Sequence, residues 1–419
     1  MIQKDLQYYK FSAYGFLKNL RFFDPFIILF FREMGLSFLQ IGILISIREV
    51  ATTILEVPTG LIADAYGRKN AMVFAFLSYI VSFLIFYFMP IFLLYGVAMV
   101  FFGVGEAFRT GTHKAMIMHY LETSGSSHLK VEYYGHTRGW SQIGSAVSAL
   151  IAGALVFFAG SYRIVFIASV VPYIGGLLLM LTYPSTLNSR RSCTDGGVGI
   201  FGGTLRSIRE TFRDFFSVFR DAAILRILFN SSLYDGLFKT VKDYLQPILK
   251  SFALSVPILL SLRDKRSTVL ISVTYFLLYM LTSVSSKNAH RALKRFQSPG
   301  SAMNVSYVLG ICLTVVAGVF LGLRLEIMTI LIFIGLYLAM NIRRPMTVSY
   351  VSDHIDTKVM ATGLSVESQL KTIAVALLSP LLGLLSDLFG IGVGIIVISC
   401  IPLALFPVVR VTAESPSPR

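Results

Sequence analysis

Gly60-Leu61-Ile62-Ala63-Asp64-Ala65-Tyr66-Gly67-Arg68-Lys69 is a short polar turn between two apolar stretches, roughly 38–63 and 71–89. Each residue has a physical role there. Gly60 permits close helix approach, and Gly67 allows a turn too tight for a side chain. Asp64 stands at a membrane edge, where a carboxylate needs a basic partner or a helix N-terminus. Arg68 and Lys69 hold the turn on the cytoplasmic side. The segment reads as the inner connection between two membrane-crossing helices.

The rest of the chain supports that reading. Of 419 residues, 55% are hydrophobic and only 14% charged, where a soluble surface calls for about a quarter. An ordinary soluble globule, a disordered chain and a collagen-like polymer are excluded. At about 20 apolar residues per crossing, twelve crossings take about 240 residues. Twelve apolar stretches are legible, at roughly 9–33, 38–63, 71–89, 91–118, 138–159, 162–183, 223–248, 266–286, 301–321, 325–345, 358–386 and 390–410. The expected fold is an all-α membrane protein of twelve transmembrane helices in two pseudo-symmetric six-helix lobes.

The net charge of +15 belongs to this topology and predicts no nucleic-acid partner. Arg68 and Lys69 follow span 2, and Lys287, Arg291, Lys294 and Arg295 follow span 8, whereas the turns between spans 3 and 4 and between spans 11 and 12 hold no lysine or arginine. Both termini are therefore expected in the cytoplasm, although Arg263, Lys265 and Arg266 run against the pattern. Lys4, Lys10 and Lys18 precede or enter the first stretch, which reads as an uncleaved span that directs insertion. Cys193, Cys312 and Cys400 are too scattered for a disulfide framework or a metal site.

Residues 184–222 separate a lobe at 1–183 from one at 223–419. Within them Leu205, Ile208, Phe212, Phe215 and Phe219 recur at helical spacing, with Arg206, Arg209, Arg213 and Arg220 on the remaining surface. This predicts an amphipathic helix, either on the inner leaflet or packed as a cytosolic linker. The halves repeat. Trp140-Ser141-Gln142-Ile143 matches Glu367-Ser368-Gln369-Leu370, and Arg109 of span 4 matches Arg343 of span 10.

Ionisable residues at membrane depth cost at least about 2.5 kcal/mol each and demand explanation. Glu49 and Glu56 lie seven apart on one face of span 2, upstream of Pro58 and Thr59. Arg48 points about 100° away from Glu49, so Glu49 has no cation on its own face and favours its neutral form, as a proton carrier must. Glu56 is read as a partner of Arg109. Span 1 carries Arg21 and Asp24 just before Pro25, and Asp24 is the rival proton carrier. Span 4 has a stripe of Glu106, Arg109, Thr110 and His113, with His113 read as a snorkelling residue. In span 7, Asp235, Lys239, Lys242 and Asp243, with Gln246, draw a stripe fit to line a water-filled cavity. Asp235–Lys239, Lys239–Asp243 and Glu367–Lys371 are helical pairs. Span 10 adds Tyr337, Asn341 and Arg344 on one face.

The motif at Gly60–Lys69, a glycine, then Ala-Asp, then Gly-Arg-Lys, resembles the cytoplasmic loop signature of the major facilitator superfamily. The resemblance implies alternating access by two rocking lobes, with spans 1, 4, 7 and 10 lining a central cavity and Asp64 and Arg68 latching the lobes. The second-half loop, Lys287-Asn288-Ala289-His290-Arg291, lacks the acidic member, so an asymmetric latch is expected. His119 stands where many relatives have an acid, which leaves Glu122 or Glu132 for Arg68. The paired acids of span 2 resemble the clostridial type of tetracycline efflux protein, although span 5 lacks the proline of the drug-antiporter motif.

No GxxxxGK[ST] run in the cytoplasmic loops cradles ATP. The expected function is secondary transport in the cell (inner) membrane, by a monomer with no cofactor, no metal and no catalytic residues. Protons would drive export of a small organic compound. The alternative is proton-coupled uptake of a polar or anionic metabolite attracted by Arg109, Lys239, Lys242 and Arg344. A membrane-embedded enzyme or a transport-dead receptor is the distant alternative.

Overall fold

The computed structural model describes residues 4–126, 129–188, 222–255, 265–293, 298–354 and 360–411. The helix expected at 205–219 lies outside them. So do the side chains of Asp64 and of the second-half loop Lys287–Arg291. All regular structure among the described residues is helical.

In the first half these are α1 (Leu6–Lys18), α2 (Ile27–Glu33), α3 (Phe38–Tyr66), α4 (Arg68–Phe88), α5 (Phe92–Arg109), α6 (Thr112–Thr123), α7 (Lys130–Ala159) and α8 (Ile164–Leu181). In the second half they are α9 (Ala222–Val241), α10 (Leu245–Ser255), α11 (Arg266–Leu293), α12 (Pro299–Gly322), α13 (Glu326–His354), α14 (Met360–Phe389), α15 (Ile391–Ala404) and α16 (Phe406–Val409).

Nine helices among the described residues are long and apolar enough to cross a membrane. Three apolar stretches are not among the nine because their helices are divided. The first falls on α1 and α2, separated at residues 19–26. The seventh falls on α9 and α10, separated by a tight 3-10 turn at Lys242–Tyr244. The last falls on α15 and α16. Stretch 4 is also divided, between α5 and α6 at Thr110 and Gly111, where Gly111 takes a φ of 79°.

The continuous spans expected at 9–33, 91–118, 223–248 and 390–410 are therefore corrected. Pro25 lacks an N–H and disfavours a helical Asp24, which stops the helix from running through. Irregular backbone at membrane depth is tolerated where protein or a water-filled cavity surrounds it. The first break is set in an aromatic core. Phe23 is 2% and Phe26 0% exposed, and Phe23 stacks on Phe166 with ring centres 5.7 Å apart. Phe30 sits 4.5 Å from the same ring. The break is thus anchored by buried aromatic area on both sides.

The chain forms two compact units, one of Met1–Leu36, Ile47–Ser192 and Ala253–Met280, the other of Ser37–Ser46, Cys193–Phe252 and Leu281–Arg419. In the first, α4 packs on α5 and α8, α1 packs on α7 and α8, and α7 meets α8. In the second, α12 packs on α13 and α15, α9 packs on α14 and α15, and α14 meets α15. Helix for helix these are the same pairings, so the packing repeats as the sequence does.

Candidate functional site

The first unit centres on Glu106, in the last turns of α5. Its carboxylate accepts hydrogen bonds from Arg21 Nη2 at 2.5 Å, from the Tyr79 hydroxyl at 2.7 Å and from Arg109 Nη2. Arg109 Nε–H also donates to the Tyr79 hydroxyl oxygen at 3.1 Å. One carboxylate therefore serves two guanidiniums, and Tyr79 from α4 closes the ring. These charged side chains retain only about a fifth of their exposure, 18–20%, so each guanidinium needs that carboxylate. The expected Glu56–Arg109 pair is corrected: Arg109 turns to Glu106, one helical turn away on its own face.

Lys18 ends α1 and stands among Arg21, Asp24, Glu106 and Arg109. Its ammonium makes no hydrogen bond or ion pair among the described residues. Beside it a cavity of about 200 Å³ lies between α1, the α5–α6 junction and α7. Lys18, Arg109, His113, Lys114 and Arg138 line it, and no carboxylate does. Two helix breaks, after Lys18 and after Arg109, border the same space. His113 does not snorkel. It is 9% exposed, its ring stacks on Tyr14 at 3.6 Å, and Nε2 lies 3.3 Å from the Tyr183 hydroxyl. The flat face of Tyr14 removes its reason to reach for water.

Glu49 is buried, at 4% exposure. Its Oε1 accepts bonds from Arg48 Nε at 3.1 Å and Nη2 at 2.9 Å. The expectation that Glu49 lacks a cation is corrected. A helical wheel fixes the Cβ direction, but the long arginine stem curls round to the buried carboxylate and meets it as a cation. Arg48 and Arg21 both place their guanidiniums 5.8 Å from the centre of the Phe102 ring. Glu56 and Asp24 are half-buried, Asp24 in the turn between α1 and α2.

In the second unit Asp235, Lys239, Lys242 and Asp243 are half-buried, and Gln246 is fully buried. Asp243 pairs with its neighbour Lys242 at 2.5 Å, within the tight turn at Lys242–Tyr244 that interrupts the helical register. Glu367 accepts a bond from the Ser231 hydroxyl of α9, and its carbonyl one from Ser232 at 2.9 Å. It therefore binds across helices instead of along to Lys371. Asn341 Nδ2 donates to the Tyr337 carbonyl at 2.9 Å, while Arg344 is exposed.

Arg343, the match of Arg109, is 1% exposed. It donates to Asn230 Oδ1 and the Met303 carbonyl at 2.6 Å each and to the Ser306 hydroxyl at 2.5 Å. Its guanidinium lies 4.5 Å from the centre of the Tyr234 ring. Among the described residues it pairs with no carboxylate, so matched arginines have different surroundings.

The loop motif has the expected turn: Gly67 takes a φ of 101° and precedes α4. Lys69 Nζ donates to the carbonyls of Leu181 and Tyr183 at 2.8 Å each. That satisfies carbonyls left open at the end of α8.

One device escaped sequence reading. Asp387 accepts from the backbone N–H groups of Phe38 at 2.9 Å and Leu39 at 2.8 Å. Ser37 and Gln40 bond each other's backbone N–H through their side chains, at 3.2 and 2.9 Å. Every donor opening α3 is thus satisfied. The signal was present, since Gly383-Leu384-Leu385-Ser386-Asp387-Leu388-Phe389-Gly390 keeps the glycine, leucine, aspartate, aromatic and glycine spacing of Gly60–Gly67. Gly390 also takes a positive φ, 88°.

Comparison with known proteins agrees with this architecture. The family model described as Major Facilitator Superfamily matches residues 14–368. An uncharacterized MFS-type transporter, YxaM of Bacillus subtilis (strain 168), is 23% identical over 411 residues, covering 96% of this chain and 95% of that protein. The fold is similar to that of the nucleoside transporter NupG (TM-score 0.75, 13% identity, covering 97% of this chain and 98% of NupG). It is also similar to that of a D-xylose-proton symporter (TM-score 0.70, 12% identity, covering 97% of each chain). The chain belongs to the major facilitator superfamily, and is a multi-pass membrane transporter and not an enzyme.

Proposed function

We propose that the protein is a proton-coupled secondary transporter that exports a small organic compound across the cell (inner) membrane by alternating access. It works as a monomer with twelve crossings and both termini cytoplasmic, its lobes at 1–183 and 223–419 joined by 184–222. The tetracycline-efflux likeness of the span 2 acids stands behind the export direction.

The observation that carries the reading is the placement of the helix breaks. Spans 1 and 7, at corresponding positions of the two halves, are both divided, and each break carries charge: Lys18, Arg21 and Asp24 in one, Lys242 and Asp243 in the other. Divided helices in matching positions mark substrate and ion sites in repeat-built transporters. Glu106 and Arg109 would serve the first half of the pathway. Asp235, Lys239, Lys242, Asp243, Gln246, Asn341 and Arg344 would serve the second.

Glu49 is the proposed proton carrier. It sits mid-helix, buried against Arg48, which a proton arriving on the carboxylate would release. Asp24 and Glu56 are the rivals. The D-xylose-proton symporter among the similar structures supports protons as the coupling ion. A second reading, uptake of a polar or anionic metabolite, is favoured by the basic lining of the cavity beside Lys18.

The test is transport in proteoliposomes with and without an imposed pH gradient, across a panel of antibiotics and metabolites. Glu49→Gln should abolish gradient-driven accumulation while exchange down the substrate's own gradient persists, with Asp24→Asn as the comparison. Accumulation by Glu49→Gln at the wild-type proton dependence would falsify the assignment.

A further inference from the structure

The cavity beside Lys18 has an unbalanced lining. Lys18, Arg109, Lys114 and Arg138 present four basic side chains to about 200 Å³ of space, His113 adds an imidazole, and none of the lining residues is acidic. Behind the wall, Glu106 is already shared between Arg21 and Arg109. Around Lys18 itself, Arg21 and Arg109 face Glu106 and Asp24, so the ammonium is the cation in excess.

Topology alone does not put it there. Lysines that orient a span sit in its flanks. Lys18 is the last of the thirteen residues of α1, about 20 Å from the helix start at 1.5 Å per residue. A cation at that depth is costly unless something neutralises it. The C-terminal end of α1 supplies part of that.

We propose that this cavity receives the negatively charged group of the transported compound, a carboxylate or a phosphate, with Lys18 as its principal cation. Arg109, fixed by Glu106 and Tyr79, provides a second charge without moving. Lys114 and Arg138, both exposed, draw the anion toward the cavity. Its volume is below the usual drug-sized range of about 300–1,000 Å³, which suits an anionic group and not a whole drug-sized compound. The proposal rests on the transporter reading and adds to it the charge of the substrate.

Melting of the purified full chain in detergent, titrated with inorganic phosphate and separately with lactate against chloride at matched ionic strength, tests it. At least one of the two should stabilise the protein saturably, and which one does so separates phosphate from carboxylate. Lys18→Gln should weaken that affinity at least tenfold, about 1.4 kcal/mol, and Lys18→Arg should stay within a few-fold. Should Lys18→Gln fail to fold, Arg138→Gln at the same cavity is read instead, with a threefold or greater loss expected. No saturable effect beyond chloride overturns the proposal, as does unchanged affinity in the variant read. Proton-driven transport of a neutral or cationic compound, indifferent to Lys18→Gln, overturns the anion and leaves the transporter reading intact. Saturable anion binding without gradient-driven movement of any compound does the reverse.

Discussion

Glu106 decides the chemistry of the first unit, because Arg21 and Arg109 both depend on it. Removing its charge takes the shared carboxylate from two guanidiniums, each about a fifth exposed. Losing one partner of a fully buried pair costs about 3–5 kcal/mol, and residual solvation here lowers that to about 2–3. Glu106→Gln should therefore lower the melting temperature in detergent clearly, while Glu106→Asp recovers part of the loss. A melting temperature unchanged by Glu106→Gln would mean that water already screens both arginines. Arg343 shows the other solution to burying a guanidinium: amide, hydroxyl and carbonyl oxygens accept from its two Nη groups, and Tyr234 covers a face. Pattern matching pairs Arg109 with Arg343 correctly, but residue type says nothing about which set of partners will surround each.

At the scale of elements, helix ends do much of the work. α1 opens on Asp5, whose carboxylate accepts from the Tyr8 N–H at 2.8 Å. α12 opens on Ser298 with Pro299 in the first turn. α3 combines the Ser37–Gln40 capping box with the remote carboxylate of Asp387. Asp387→Ala removes the carboxylate that accepts from the Phe38 and Leu39 N–H groups and takes a negative charge from a helix N-terminus. The expected cost is about 1–2 kcal/mol. Faster amide hydrogen exchange at the start of α3 is the direct readout, and exchange as slow as in the wild type would show that another acceptor replaces Asp387. The divided helices follow from equally local causes, Pro25 after Asp24 in one case and the positive φ of Gly111 in another.

At the scale of the whole molecule, the proposed alternating access requires its proposed gate residues to act on rate more than on affinity. Asp64 lies in the last turn of α3, next to the turn at Gly67 and far along the helix from Glu49. Asp64→Asn should slow transport several-fold and leave equilibrium substrate affinity within a few-fold. A large loss of affinity at normal turnover would instead make Asp64 a ligand. The identical pairing of helices within each unit is what a two-lobed transporter needs, since one architecture used twice can present matching divided helices to a common pathway.

Sequence by itself determined the solvent, the element type and the family. Charge scarcity and runs of about 20 apolar residues require helices in a membrane, and the turn at Gly67–Lys69 needs a glycine at positive φ whatever surrounds it. These are properties of composition and local backbone. Tertiary structure decided who pairs with whom. Arg48 reaching back to Glu49, Tyr79 joining Glu106, Glu367 turning to Ser231 and Asp387 capping α3 all depend on distances that helical periodicity does not contain. At the breaks after Lys18 and at Lys242, packing adds to the local causes, since Tyr173 donates to the Lys18 carbonyl and Tyr337 to the Lys242 carbonyl.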